Sequence, residues 1–205
     1  MAEKQYGFYV NTQICTGCKA CMTSCMDRQN LKEEEKFRKV FEFSGGNWTE
    51  DAKGAFTHNI FGFYTSVGCQ QCDEPVCLKV CPAGVYTKRA SDGIVDFDPS
   101  KCISCFACKR SCPYGAPTYD YAAEHMKKCI MCTDEKTDDG IPRPACVYAC
   151  PSRALDFGEI SQLREKYGSS NVYVGKFGDI TKPNIVIKPH KDSGRGYTVM
   201  NPEEV

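Results

Sequence analysis

Residues 102–113 of the chain read CISCFACKRSCP, where four cysteines follow the spacing C-x2-C-x2-C-x3-C and a proline follows the last one. This spacing is typical of proteins that hold 4Fe-4S clusters. Three thiolates on a tightly curled loop can reach three iron corners of one cluster, whereas the fourth thiolate points away. Residues 15–25, CTGCKACMTSC, repeat the same spacing. Both stretches therefore predict thiolate-bound iron.

Two more cysteine runs keep the opening CxxC and the closing CxxxC but widen the middle gap to four and thirteen residues. In two-cluster ferredoxins the fourth cysteine of one run ligates the other cluster, so runs occur in pairs. Four runs therefore predict two pairs and four 4Fe-4S clusters, with no cysteine left over. The runs are Cys15, Cys18, Cys21, Cys25; Cys69, Cys72, Cys77, Cys81; Cys102, Cys105, Cys108, Cys112; and Cys129, Cys132, Cys146, Cys150.

Three other uses of cysteine are weaker explanations of this pattern. CxxC pairs are usual in structural zinc sites, but four consecutive quartets, two with full ferredoxin spacing, fit 4Fe-4S clusters better. Such closely spaced cysteines are poor disulfide partners, and no export signal accompanies them. A redox-active CxxC explains at most two of the sixteen cysteines.

Composition excludes several classes of partner and location. The 205 residues contain 26 basic and 26 acidic side chains, so no basic excess attracts nucleic acid. The N-terminus lacks the charged start and apolar stretch of a signal peptide. No run approaches roughly 18 apolar residues, the length that a membrane-spanning helix needs. We therefore expect no nucleic-acid partner, no signal peptide and no transmembrane helix on this chain.

The connections between runs indicate how the runs pair, although gap length alone does not choose. Val85–Thr87 and Ile94–Phe97 flank a polar turn between runs two and three, which predicts a β-hairpin. We expect no comparable hairpin between runs three and four, so runs two and three should form one ferredoxin unit. Tyr6–Val10 and Ala154–Phe157 flank runs one and four and should pair as strands that close a second unit.

The predicted fold class is α+β, with two ferredoxin-like (4Fe-4S)2 lobes related by pseudo-symmetry. One lobe is inserted in the other, and long loops and an extended C-terminal tail complete the chain. The outer lobe comprises residues 1–54 plus 118–165 and holds runs one and four. The inner lobe, residues 55–117, holds runs two and three, and the tail covers residues 166–205.

Smaller elements are expected outside the cysteine runs. Residues 31–43 combine charged residues with spaced apolar residues, which predicts a short amphipathic helix. A second helix is expected at Glu159–Tyr167, ending before Gly168. The tail segment between Pro183 and Pro189 should be extended and docked on a partner. The thirteen-residue gap of run four predicts a solvated surface loop rather than a partner contact.

Several side chains near the runs have predicted roles. Lys127 and Lys128 precede Cys129 and could raise the potential of a cluster, but a solvated position is favoured. Aromatic side chains are expected to shield clusters from water by packing. The three histidines are scattered and are interpreted as structural or surface groups, so no catalytic constellation is predicted. These residues are Trp48, Phe106 and Tyr114, and His58, His125 and His190.

The chain resembles, from end to end, the iron-sulfur subunit of the dimethyl sulfoxide reductase family of molybdopterin oxidoreductases. The resemblance rests on YGFY, CTGCKAC, CPYGAPTY, HMKKCIMC, CPSRALDFG, KPNIVIKP and the closing NPEEV. Some relatives replace a cysteine of the third run, but all four are present here. The resemblance therefore implies four complete 4Fe-4S clusters.

The family pattern implies four crossed ligand sets, in which the last cysteine of each run joins the set of the paired run. The first set is Cys15, Cys18, Cys21 and Cys150, and the second set is Cys25, Cys129, Cys132 and Cys146. The third set is Cys69, Cys72, Cys77 and Cys112, and the fourth set is Cys81, Cys102, Cys105 and Cys108.

The resemblance also implies a function in anaerobic respiration. Electrons would pass from a quinol-oxidising integral membrane subunit through this chain to a large molybdopterin catalytic subunit facing the cluster of Cys15. The chain would not be catalytic alone. It would be held to the membrane by partner subunits, at the outer face of the cytoplasmic membrane. The alternative is a free polyferredoxin that serves soluble redox enzymes.

Overall fold

The computed structural model describes residues 4–135, 138–168 and 180–205. The strands are β1 (Tyr6–Asn11), β2 (Arg38–Gly45), β3 (Trp48–Glu50), β4 (Phe56–His58), β5 (Phe61–Gly68), β6 (Tyr86–Lys88), β7 (Val95–Phe97), β8 (Thr118–Asp120), β9 (His125–Lys127), β10 (Leu155–Glu159), β11 (Ile185–Lys188) and β12 (Thr198–Val199). The helices are α1 (Ala20–Arg28), α2 (Val76–Lys79), α3 (Ala107–Ser111), α4 (Ala145–Tyr148) and α5 (Ile160–Tyr167), with a 3-10 turn at Pro99–Lys101. This mixture of helices and strands confirms the predicted combination of α and β structure.

The first sheet has the strand order β10–β1–β11. β1 pairs antiparallel with β10, with Phe8 opposite Phe157, so the predicted pairing of the two flanking segments is confirmed. All six residues of β1 are buried, because elements cover both of its faces. The sheet places the start of run one next to the end of run four.

β11 joins the same sheet, parallel to β1. Its apolar residues Ile185, Val186 and Ile187 are all buried. The prediction that this segment docks on a partner is therefore wrong, because burying three aliphatic side chains in its own sheet is strongly favourable. Part of the predicted tail, residues 169–179, lies outside the described residues.

Helix α5 packs against β1, β10 and β11. Its buried residues are Ile160 and Leu163, and the Tyr167 ring stacks on Tyr9 with centroids 3.7 Å apart. Gly168 follows the helix with a φ of 85°, a conformation that glycine adopts without steric strain. The helix predicted in this segment, with its glycine end, is confirmed.

The second sheet has the order β12–β2–β5. β2 pairs antiparallel with β5 along its whole length, and Phe43 stacks on Phe63 with centroids 5.1 Å apart. The helix predicted over residues 31–43 is therefore wrong. Val40, Phe41 and Phe43 favour a strand, and pairing with the aromatic strand β5 outweighs the helical spacing of the segment.

Two hairpins lie around run three. β6 and β7 pair antiparallel between runs two and three, as predicted. β8 and β9 form a second hairpin between runs three and four, where none was expected. Its turn lacks glycine and proline, and the Asp120 carboxylate closes it by accepting hydrogen bonds from Ala122 N at 3.0 Å and Ala123 N at 2.9 Å. Hairpins alone therefore do not decide which runs pair.

A short helix carries the third cysteine of each run. α1 packs against α4, and α2 packs against α3, so the helices of runs one and four meet, as do those of runs two and three. The predicted lobe boundaries nevertheless remain predictions. The third cysteines are Cys21, Cys77, Cys108 and Cys146.

The hairpin of β3 and β4 projects into solvent, and all six of its strand residues are exposed. Trp48 is 60% exposed, and its ring packs at a tilt against His58. The prediction that Trp48 shields a cluster is therefore wrong. None of the helices in the described ranges is long and apolar enough to cross a membrane.

Candidate iron-sulfur sites

Each cysteine run opens with a CxxC turn that contains a left-handed residue. The residue before the second cysteine has a positive φ in every run: Gly17 (70°), Gln71 (46°), Ser104 (55°) and Met131 (60°). This conformation is uncommon outside glycine, so its occurrence at four equivalent positions indicates that the turn geometry is required. In run four, Met131 N donates a hydrogen bond to Cys129 Sγ at 3.3 Å. Of these four residues, only Gly17 is of a type from which a left-handed turn can be predicted in the sequence.

The first set gathers around one cavity, lined by Cys15, Cys18, Cys21 and Cys150. The structure thus places the last cysteine of run four beside the first three cysteines of run one. Ala154 N donates to Cys150 Sγ at 3.2 Å. Burial raises the pKa of Cys15 to about 11, so this thiol becomes a thiolate at neutral pH only with a metal or a positive charge beside it.

In the second set, Cys25 lies on α1 and Cys146 lies on α4. Cys129 and Cys132 lie in the segment between β9 and α4. Burial raises the pKa of Cys25 to about 12, and the next largest contribution is the neighbouring Cys146, with Cys132 also adding. Burial also raises the pKa of Cys129 well above its ordinary value, with a further contribution from Cys25. These four thiols are therefore mutual neighbours, although three come from run four and one from run one.

The third set lines a cavity together with Tyr114, Thr181 and Lys128. The Tyr114 hydroxyl lies 2.8 Å from Thr181 Oγ1, and Tyr114 is buried, which fits its predicted packing role. Burial raises the pKa of both Cys72 and Cys77 to about 12. The cysteines that line this cavity are Cys69, Cys72, Cys77 and Cys112.

The fourth set lines a cavity whose other walls are uncharged and include Phe106, Tyr86 and Met126. Val85 N donates to Cys81 Sγ at 3.4 Å, and Met126 N donates to Cys102 Sγ at 3.3 Å. The cysteines around this cavity are Cys81, Cys102, Cys105 and Cys108.

The Tyr86 hydroxyl beside the fourth set is buried next to the Cys108 thiol, and it forms no hydrogen bond of good geometry with any described residue. Burial raises the pKa of Tyr86, and the adjacent Cys108 raises it further. A buried polar atom without a partner is rare in native proteins. A sulfur atom of a bound cluster would supply the missing acceptor.

The donor atoms suit 4Fe-4S clusters. All sixteen cysteines are free, and in the parts of the chain that the structure describes no three His, Cys, Asp or Glu side chains are arranged to hold a single metal ion. A structural zinc site needs sulfurs that converge within about 2.3 Å of one ion. A 4Fe-4S cluster instead takes one thiolate at each of four separated iron atoms. Four thiols spaced around a cavity therefore fit a cluster better than zinc.

The sets are neighbours in the order first, second, third, fourth. The electrostatic neighbours that join them are Cys21 with Cys146, Cys129 with Cys69, and Tyr86 with both Cys77 and Cys108. Among the sixteen cysteines only Cys18, of the first set, and Cys105, of the fourth set, are exposed. The row of sets thus has a shielded middle and two accessible ends.

Two lysines before Cys129 are not solvated, and the prediction that they would be is wrong. Lys128 is 1% exposed and donates to Cys129 O at 3.0 Å. Lys127 bonds to Glu35 at 2.7 Å and to Asp120 at 2.8 Å. Lys127 is the last residue of β9, in the hairpin that sequence reasoning missed, and Lys128 follows it directly. Lys128 therefore adds a positive charge to the wall of the third-set cavity.

Comparison with known proteins agrees with this chemistry. The family model described as a 4Fe-4S dicluster domain matches residues 60–160. This match covers runs two, three and four in full. This match agrees with 4Fe-4S clusters held by the cysteines of these runs.

Named relatives match most or nearly all of the chain. The B chain of anaerobic dimethyl sulfoxide reductase from Escherichia coli is 44% identical over 98% of both chains, and that from Haemophilus influenzae is 45% identical over 92% of this chain and 91% of the relative. The B subunit of sulfite dehydrogenase from Allochromatium vinosum is 34% identical over 76% of this chain and 69% of the relative. By this full-length identity, the protein belongs to the iron-sulfur subunit family of the dimethyl sulfoxide reductases and is an electron-transfer protein with 4Fe-4S clusters.

Proposed function

We propose that this chain relays electrons between a quinol-oxidising integral membrane subunit and a large molybdopterin catalytic subunit. The relatives named as B chains of dimethyl sulfoxide reductase support such an assembly, because that name implies at least one further chain. A bound 4Fe-4S cluster supplies one-electron transfer at a potential set by charge, hydrogen bonds to sulfur and solvent exposure. The role of this chain is to hold, shield and tune the redox groups, while substrate is turned over on a partner.

The proposed ligands are the four crossed sets, giving four clusters. Three of the sets each line one cavity, and the thiols of the remaining set influence one another's pKa values. Each set combines three cysteines of one run with the last cysteine of its partner run. No cysteine is left outside the sets, which supports four clusters rather than two or three.

The exposed ends of the row are the observation that carries the proposal. Electron partners must approach close to a redox group, and the sets in the middle of the row contain no exposed cysteine. Cys18 at one end has Ile14 nearby in sequence, 45% exposed, and Cys105 at the other end is close to Ile103, 64% exposed. Exposed apolar side chains beside accessible cysteines are typical of partner surfaces. We assign the catalytic subunit to the first set and the membrane subunit to the fourth.

Two pseudo-symmetric lobes are part of the proposal, with the outer lobe at residues 1–54 and 118–165 and the inner lobe at residues 55–117. The packing of α1 on α4 and of α2 on α3 supports this division. The described part of the tail, residues 166–168 and 180–205, contributes β11 to the sheet that contains β1 of the outer lobe.

We assign no catalysis to this chain. His58 is exposed, His125 is half-buried, and His190 stacks on Phe63 with centroids 5.1 Å apart. These positions fit packing and surface roles. Attachment to the outer face of the cytoplasmic membrane through partner subunits follows from the proposed complex.

Anaerobic purification of the tagged chain from its native host tests the proposal. We expect a large molybdenum-containing subunit to co-purify in equal amount, with about sixteen iron and sixteen acid-labile sulfide atoms per chain. A quinol should reduce the clusters of the complex but not those of the isolated chain. A chain that purifies alone, fully loaded and reduced by soluble enzymes, would instead be a free polyferredoxin. Zinc in place of iron would contradict both functions.

A further inference from the structure

Arg38, the first residue of β2, is a buried cation beside the cysteine sites. It is 3% exposed, and its guanidinium carbon lies 4.4 Å from the centroid of the Phe8 ring. Its Nη1 donates to Ser66 Oγ at 3.2 Å, and the same hydroxyl lies 3.3 Å from Cys21 Sγ. Packing and hydrogen bonding therefore fix the guanidinium against the first set.

Thiols of two sets surround this guanidinium. The nearest thiols around Arg38 are Cys146, Cys21, Cys129 and Cys25, and Cys146 lies within hydrogen-bond reach of its guanidinium. One of these thiols is in the first set and three are in the second. The arginine therefore lies at the junction between the two outer sets.

The charge of Arg38 is not balanced by a carboxylate in the described part of the protein. Across residues 4–135, 138–168 and 180–205, no aspartate or glutamate forms a salt bridge with it. Lys127, in contrast, has both Glu35 and Asp120. An unpaired buried charge is strongly unfavourable, so the counter-charge of Arg38 must come from the sulfurs that surround it.

We infer that Arg38 is a counter-cation shared by the first and second clusters and that it raises the reduction potential of both. This inference rests on the proposed ligand sets. Reduction adds one negative charge to a cluster, and a fixed positive charge nearby stabilises that charge. Because one guanidinium faces both sets, it acts on both potentials in the same direction.

The test replaces Arg38 in the intact complex and follows the potentials of individual clusters by EPR-monitored redox titration. Arg38→Met removes the charge and keeps an apolar side chain, whereas Arg38→Lys keeps the charge and loses the planar contacts with Phe8 and Ser66. We expect R38M to lower the potentials of the first and second clusters and to leave the third and fourth unchanged. R38K should stay close to wild type. Single cysteine variants of each set assign the signals.

Two further variants protect the test against a folding defect. Ser66→Asp keeps Arg38 but places a carboxylate against it, so it should lower the same two potentials. Arg195→Gln is the matched control, because the Arg195 guanidinium also lies over a ring, 4.0 Å from the Phe61 centroid. Arg195 hydrogen-bonds to Asn59 and Asp192. R195Q should change no potential.

The results separate this inference from the proposed function. Equal shifts in R38M and R38K, or unchanged potentials in both R38M and S66D, would overturn the shared counter-cation while the wild type still contains four clusters. A wild type with fewer clusters would instead contradict the proposed ligand sets themselves.

Discussion

The outer part of the molecule, around the first and second sets, and the inner part, around the third and fourth sets, hold their cysteines by different means. Around the first and second sets lie two three-stranded sheets, one of which includes β5 from the proposed inner lobe, and a core cluster that contains eighteen buried residues among those described. Around the third and fourth sets lie the short hairpins β6–β7 and β8–β9, the latter from the proposed outer lobe, and a core cluster that contains five described buried residues. A small apolar core provides little stability by itself, so the inner part should depend more heavily on its metal.

The two parts also differ in charge. Arg38 lies among the outer thiols, and Lys128 lies at the boundary, on the wall of the third-set cavity. The residues that line the fourth-set cavity are uncharged apart from any thiolates. Buried positive charge thus declines along the row. Because positive charge stabilises a reduced cluster, this gradient predicts that the reduction potential is higher toward the first set.

Removing the clusters should produce the largest difference between the two parts. We expect the amides of β6 and β7 to exchange as in an unfolded segment, with an opening free energy near zero, because metal binding and folding are coupled there. The amides of β1 and β10 should keep measurable protection. Hydrogen exchange of the anaerobically prepared apo and loaded protein checks this, and equal loss of protection in both parts would refute the comparison.

Lys128→Met should sharpen the comparison of charge. Loss of this buried cation should lower the potential of the third cluster by on the order of 1.4 kcal/mol, or about 59 mV for one electron. The fourth cluster should be unaffected. Lys79→Met is the control, because Lys79 lies on α2 near the third set but is 58% exposed and paired with Glu74 at 3.1 Å. A redox titration in which both variants behave alike would contradict the predicted effect of burial.

The difference expected between the two parts is smaller, about 1 kcal/mol, at the left-handed residue of the CxxC turns. Gly17→Ala, in the outer part, should destabilise the loaded protein by about 2 kcal/mol, because a Cβ there would lie 2.4 Å from a Tyr64 ring carbon. Ser104→Ala, at the equivalent inner position, loses only a hydrogen bond to Glu124 O and should cost about 1 kcal/mol. Thermal unfolding of both variants measures the difference. Equal losses would contradict the steric argument.

The chemistry and two strand pairings could be predicted from the sequence, because cysteine spacing and short apolar segments beside turns are local signals. The strand β2 could not, since its partner β5 begins sixteen residues beyond the end of β2 and the segment before it is highly charged. The turn of β8–β9 contains an aspartate cap rather than glycine or proline, so the usual turn residues did not reveal it.

The buried cations were also beyond sequence reasoning. In the sequence, Arg38 and Lys128 cannot be told from ordinary surface residues. Their burial depends on segments that lie far from them in the chain. The same holds for the left-handed Gln71 and Met131, whose side chains give no hint of the turn. Sequence spacing therefore predicted which atoms could bind iron, whereas the charges that tune the sites required the fold.

Iron content of paired cysteine variants tests the crossed ligand sets most directly. Cys69 and Cys112 lie in the third set, whereas Cys102 lies in the fourth. C69S/C112S should therefore lose one cluster and retain about twelve iron atoms, and C69S/C102S should lose two and retain about eight. If each run instead formed its own site, C69S/C112S would lose two clusters and C102S/C112S only one, and that result would contradict the account.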